Sequence, residues 1–135
     1  PIYTHPRFLP GTRAHDCRID ASIVAEGCFL DQCDVTDSVV GIRTHIDRGS
    51  KISRSVLLGA DVYEEEDPTL PGAPLGIGRD VVLDRVIVDK NARISDGVRL
   101  VNASNVQEAD GDGYHIRNGI IIVPKGAVVK AGTTV

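Results

Sequence analysis

Between Val40 and Leu58 an aliphatic residue returns at every sixth position, at Val40, Ile46, Ile52 and Leu58, with small or polar residues such as Gly41, Asp47, Gly49 and Ser53 between them. A six-residue beat is neither the 3.6 period of a helix nor the alternation of a simple half-buried strand. It is the beat of a hexapeptide β-helix, in which each hexad supplies one short strand and one corner. The beat recurs at Val82, Val88, Ile94 and Leu100 and again at Ile116, Ile122, Val128 and Thr134. Upstream, Ile19, Val24, Leu30, Val35 and Val40 are five or six apart. The pattern predicts an all-β chain: a left-handed parallel β-helix of about five coils, each of about 18 residues.

Composition agrees with a narrow prism. The chain of 135 residues has no Met and no Trp, only two Phe and three Tyr, and 14 Gly for its many corners. One domain of this size can bury a substantial core. The formal net charge of −4 provides no basic field for nucleic acid or an anionic membrane. No apolar run approaches the length of a membrane span, and no secretory signal is evident. Cys17, Cys28 and Cys33 fall inside the repeat and read as reduced core or near-core thiols, not as a metal pair.

The beat follows a lead-in and is interrupted twice. Residues 1–16 are rich in Pro and form an extended lead-in, and the repeat proper is expected over 17–135. Residues 61–75, with Glu64, Glu65, Glu66 and Asp67 among prolines, read as a loop ejected from a corner whose acidic run is solvated. Residues 102–114 read as a second ejected loop. The first residue is Pro, not Met, and the expectation is a domain excised from a longer protein.

Hexapeptide prisms carry several chemistries, so side chains must choose among them. A zinc site needs converging histidines, and His5, His15, His45 and His115 have no spacing that stacks them on neighbouring coils. His45 is the one candidate for an acyltransferase base, and a surface role accounts for it as well. Gly76-Ile-Gly78 lacks the third glycine and the helix of a phosphate loop and reads as a corner. Asp110-Gly-Asp112-Gly reads as a turn, and Asn102-Ala-Ser104 as a chance glycosylation match. Lys90 and Lys125 each follow an apolar strand, at corners from which a long cation can reach an anion or a neighbouring domain.

Pro1-Ile-Tyr-Thr-His-Pro-Arg-Phe-Leu-Pro, Ser38-Val-Val-Gly-Ile-Arg, Leu58-Gly-Ala-Asp61, Ile87-Val-Asp-Lys-Asn-Ala-Arg-Ile94, Asn105-Val-Gln-Glu-Ala and Gly113-Tyr occur in that order. Together they resemble the C-terminal domain of ADP-glucose pyrophosphorylase (glucose-1-phosphate adenylyltransferase) of the cyanobacterial and plant style. The resemblance implies a regulatory and oligomerising β-helix attached to a catalytic domain that makes ADP-glucose and pyrophosphate from ATP and glucose 1-phosphate. That reaction uses Mg²⁺ and feeds glycogen or starch synthesis. It also implies a homotetramer in bacterial cytoplasm, with the plastid stroma as the alternative, controlled by 3-phosphoglycerate and phosphate. The family's nucleotide loop, sugar-phosphate lysine and metal aspartate have no counterpart here, so this chain alone is expected to be inactive and to hold no cofactor.

By the same resemblance Lys90 and Lys125 match the activator lysines and Arg7 matches an arginine linked to phosphate inhibition. Asp61 and His5 match further positions near the anion sites. Arginine forks and lysine point charges suit such ligands. The shorter loops after Asp61 and Gln107 and the additional Lys130 depart from the plant pattern and bear on which effector is preferred. Two other readings remain open: a free-standing hexapeptide acyltransferase, and a ligand-free oligomerisation prism.

Overall fold

The computed structural model describes residues 7–64 and 72–135. Three parallel ladders wrap one apolar axis. Face A holds β1 (Arg13–His15), β4 (Phe29–Asp31), β7 (His45–Ile46), β10 (Gly76–Ile77), β13 (Arg93–Ile94) and β18 (Val128–Val129), in that spatial order. Face B holds β2 (Arg18–Asp20), β5 (Asp34–Thr36), β8 (Lys51–Ser53), β11 (Val82–Asp84) and β14 (Arg99–Leu100). Face C holds β3 (Ile23–Val24), β6 (Val39–Val40), β9 (Val56–Leu57), β12 (Val86–Val88) and β17 (Ile120–Val123), and ends in a hairpin of β16 (Tyr114–Arg117) and β15 (Glu108–Gly111). The chain visits A, B and C in turn, so a strand pairs with its equivalent one coil away. The first strand, β1, lies ahead of Cys17.

Each strand is too short to bury more than one or two side chains, and stacking makes the core continuous. Face A contributes Leu30, Ile46, Ile77, Ile94 and Val129, face B Val35, Ile52, Leu83 and Leu100, and face C Val40, Leu57, Val88 and Val123, all buried. β-Branched side chains dominate because they pack well on pleated surfaces and have few rotamers to lose.

Corners need a left-handed residue, and the same corner recurs on successive coils: Asp16, Gln32 and Asp80 leave face A, and Ala21, Asp37, Arg54 and Arg85 leave face B, all with positive φ. Asp tolerates this conformation, whereas Ala and Arg are held in it by the surrounding ladders. Hydroxyls stitch the face C entrance. Ser22 Oγ accepts from Ser38 N, Ser38 Oγ from Ser55 N and Ser55 Oγ from Val86 N, at 3.1, 3.1 and 3.2 Å. Each donates in turn to the carbonyl two residues before it. Gly41 is needed for close approach, since a Cβ there would lie 2.6 Å from the Leu58 carbonyl.

The strict six-residue register needs correction. The inward residue after Ile52 is Leu57, while Leu58 is exposed, and Leu83, not Val82, points in on face B. In the last run Val123 and Val129 are inward, whereas Ile122 is half-buried and Val128 exposed. Sides of five residues mix with sides of six, so Ala14 pairs with Leu30, Leu30 with Ile46 and Ile77 with Ile94. A coil is therefore 16 or 17 residues, not about 18.

The two interruptions also differ from expectation. Tyr63 folds back over face A: its hydroxyl donates to Gly27 O at 2.9 Å, its ring meets Phe29 edge-on, and Arg43 lies over it. Glu64 is not merely solvated but ion-paired to Arg93. The second interruption is no loop: β15 and β16 pair antiparallel, and β16 pairs antiparallel with β17. Ile116, 2% exposed, is thus core, but as part of this hairpin and not as a hexad strand.

Candidate anion-binding corner

Face C passes to face A at a corner that every coil repeats. Val88 and Val123 are in register, Asp89 N donates to Val123 O at 2.9 Å, and Gly126 N donates to Lys90 O at 2.9 Å. Lys90 and Lys125 consequently hold the same corner position on successive coils. Parallel strands lie about 4.8 Å apart, so two ammonium groups on flexible stems can meet one ligand. The corner is shaped locally by Asp89, whose Oδ1 accepts from Lys90 N at 2.7 Å, and by Asn91, which adopts a φ of 61°. Asn is among the few residues that enter this region readily.

Asp61 completes the cluster. Its Oδ1 is 3.4 Å from Lys90 Nζ, its Oδ2 accepts from Asn91 Nδ2 at 2.9 Å, and its own N–H donates to Asn91 Oδ1 at 2.9 Å. The hydrogen bond from Asn91, then that from Lys90, and the more distant charge of Lys125 hold the Asp61 carboxyl below its ordinary range. Side-chain exposures of 36% for Lys90 and 44% for Asp61 make this a surface pair worth little to stability. Next along the chain, Arg93 pairs with Glu64, which is also held below its ordinary range, first by the hydrogen bond from Arg93.

The structure thus brings together three of the five expected residues, Lys90, Lys125 and Asp61, but Asp61 faces the lysines as a counterion. Arg7 is exposed and forms no ion pair among the described residues. Its neighbour Leu9 lies beside Gly27. From Gly27 the same edge runs over the next coils through Arg43 and Ala60 to Asn91, by backbone bonds such as Asn91 N to Gly59 O at 3.1 Å. No hydrogen bond or ion pair among the described residues joins Arg7 to the lysine corner. His5 lies outside the described residues. Asn91 is a site residue that the spacing argument misses, although an Asn between two apolar strands is itself a corner signal.

Other candidates resolve into local structure. His15 bonds Asp31 at 3.1 Å, His45 packs near the Phe29 ring, and His115 bonds Asp110 at 2.7 Å. Asp110 also accepts from Arg117 at 2.8 Å, and Asp112 pairs with Lys130 at 3.2 Å, so Asp110 and Asp112 brace the hairpin end. Among the described residues no three His, Cys, Asp or Glu side chains gather as metal ligands. Cys17 and Cys33 stack with Sγ atoms 3.6 Å apart, and burial, followed by the Cys17 neighbour, pushes the Cys33 thiol up to about 12.

Residues 7–134 match the family model described as the GLGC left-handed parallel beta-helix domain. The chain belongs to this family. The expected hand and the expected kinship with ADP-glucose pyrophosphorylase are thereby borne out. The whole chain is also 44% identical, over 142 aligned positions, to the glucose-1-phosphate adenylyltransferase small subunit, chloroplastic/amyloplastic, of Triticum aestivum. It spans 30% of the length of that relative.

Proposed function

We propose that this domain is the regulatory and oligomerising part of a glucose-1-phosphate adenylyltransferase, and that its Lys90–Lys125 corner binds small phosphorylated anions. The parent protein would transfer an adenylyl group from ATP to glucose 1-phosphate, with Mg²⁺, in a catalytic domain outside this chain. The observation that carries the regulatory reading is the stacking of two lysines at one corner of successive coils. Paired cations at fixed spacing suit a phosphate or a phosphorylated acid better than either cation alone. A ligand held there can bias a neighbouring domain only if it binds two arrangements of that domain unequally.

Assembly is favoured by face C. Ile23, Val39 and Val56 line up in register on its outer side and are 68%, 41% and 36% exposed. Ile87 and Ile122 continue the row. An apolar stripe of this length is usual for a surface that another chain or domain covers. The relative's plastid designation favours the stroma over a bacterial cytoplasm for the parent protein.

Calorimetric titration of the chain with 3-phosphoglycerate and with inorganic phosphate at low salt tests the corner. Binding that weakens at least about fivefold in Lys90→Ala and in Lys125→Ala is the expected result, in line with loss of one charge-assisted contact. Equal binding by both variants and the parent chain overturns the anion reading and leaves the ligand-free prism.

A further inference from the structure

Asp61 is the odd member of this corner, because a carboxylate repels the ligand the lysines would attract. Its arrangement nevertheless copies what such a ligand would do. One oxygen meets Lys90 Nζ at 3.4 Å and the other takes a hydrogen bond from Asn91 Nδ2 at 2.9 Å. Lys125 is near enough for its charge to act on the same carboxyl. Nothing buries the group, since its side chain is 44% exposed, so it can rotate away without opening the core. The main chain need not follow. Asp61 N stays bonded to Asn91 Oδ1, and Tyr63 and Glu64 anchor the following residues to Gly27 and Arg93.

We propose that Asp61 is a built-in competitor: its carboxylate occupies the anion position at Lys90, and a phosphorylated ligand binds by displacing it. The inference rests on the reading of the corner as an anion site and adds two consequences. The first concerns ligand class. A monocarboxylate would exchange one single negative charge for another and gain little, whereas a phosphate monoester or inorganic phosphate brings about −1.5 to −2 charge at neutral pH and at least three acceptor oxygens. The corner therefore selects dianionic phosphates over simple carboxylates. The second concerns affinity, which Asp61 holds below what the two lysines would reach alone. Coulomb energies between exposed charges a few ångströms apart, partly screened by salt, translate into roughly a three- to tenfold penalty.

The test is titration of the chain with inorganic phosphate, and separately with acetate, in parent, Asp61→Asn, Asp61→Ser and Lys90→Ala forms. Asn keeps the size of Asp and removes its charge, and Ser supplies a second neutral side chain should Asn disturb the Asn91 contact. Both Asp61 variants are expected to bind phosphate about three- to tenfold more tightly than the parent and to bind acetate measurably. In the parent, phosphate is expected to shift the Asn91 side-chain amide resonance as its Asp61 partner leaves. Tighter binding in neither Asp61 variant, with binding still lost in Lys90→Ala, overturns the competitor and leaves the anion site standing, with Asp61 positioning Lys90. An unmoved Asn91 amide at saturating phosphate overturns it too. Phosphate binding indifferent to Lys90→Ala removes the anion site itself, and the competitor with it.

Discussion

Asn102 ties the terminal hairpin to the prism, and its removal should release the hairpin while leaving the coils folded. The residue is 1% exposed and sits at a φ of 52°, where the chain leaves face B. Its Nδ2 donates to Val106 O and to Gly119 O, and its Oδ1 accepts from Val106 N, all at 2.9 Å. These bonds close the base of the segment that carries β15 and β16. In Asn102→Gly the left-handed backbone remains easy and the three bonds are lost, at a net cost of about 1 kcal/mol each, or about 3 kcal/mol together. Asn102→Ala keeps the same loss and adds about 1 kcal/mol for a Cβ in the left-handed region. Urea unfolding of the two variants against the parent gives both numbers. Amide exchange should show the opening concentrated in Glu108–Gly111 and Tyr114–Arg117, since Ile116 is the hairpin's buried core residue and Ala109 and Tyr114 are only partly buried against the core. If both variants stay within about 1 kcal/mol of the parent, or if exchange rises equally on every coil, the tether argument fails.

Further outcomes follow from the core and from its buried carboxylate. Ile46→Ala removes a fully buried side chain stacked between Leu30 and Ile77, and should cost about 2–5 kcal/mol in urea unfolding; a loss under about 1 kcal/mol would mean the coils collapse into the gap. Asp84 accepts from Arg54 Nε at 2.8 Å and from Ser53 Oγ at 3.0 Å, and the Arg54 contact, more than any other, holds its carboxyl below the ordinary range. A depressed folded-state value means stability that is complete above the unfolded carboxyl value of about 3.9 and disappears as pH falls through the folded one. Asp84→Asn should therefore lower stability at neutral pH and flatten the acid limb below about pH 4. An unchanged acid limb in that variant would show that Asp84 does not carry it.

Much of this architecture is legible from spacing alone, because few folds besides a short-sided prism place an inward residue at every fifth or sixth position. What spacing does not fix is the choice between adjacent aliphatics. Ile120-Ile-Ile-Val123 offers four in a row, and only the pairing of Val88 with Val123 decides that Ile121 and Val123 face the axis while Ile122 does not. The hairpin is hidden because Glu108–Gly111 carries no apolar alternation, although Asp112-Gly113 is a hairpin-turn signal. Lys90 and Lys125 stand out by resemblance more than by physics, since a corner lysine is ordinary. Their juxtaposition depends on a hairpin that adds residues between them without moving the corner. The Asp61–Asn91 bonds span thirty residues of sequence and an intervening excursion, beyond the reach of any local pattern.

The repeated corners have a consequence for how such a chain can change length. Within the ladders a one-residue insertion would turn every later side chain to the wrong face, so small edits there are forbidden. At a corner the chain can leave and return with its register intact. Both long connections do so: one joins β9 on face C to β10 on face A, and the hairpin departs between faces B and C. A whole turn can in principle be excised as well. Joining Phe29 to Ile46 would set Ile46 against Ala14 and Ile52 against Ile19, positions their deleted equivalents had held. Length in this molecule is thus quantised: it grows at the two edges that carry the excursions, and elsewhere only by the complete turn.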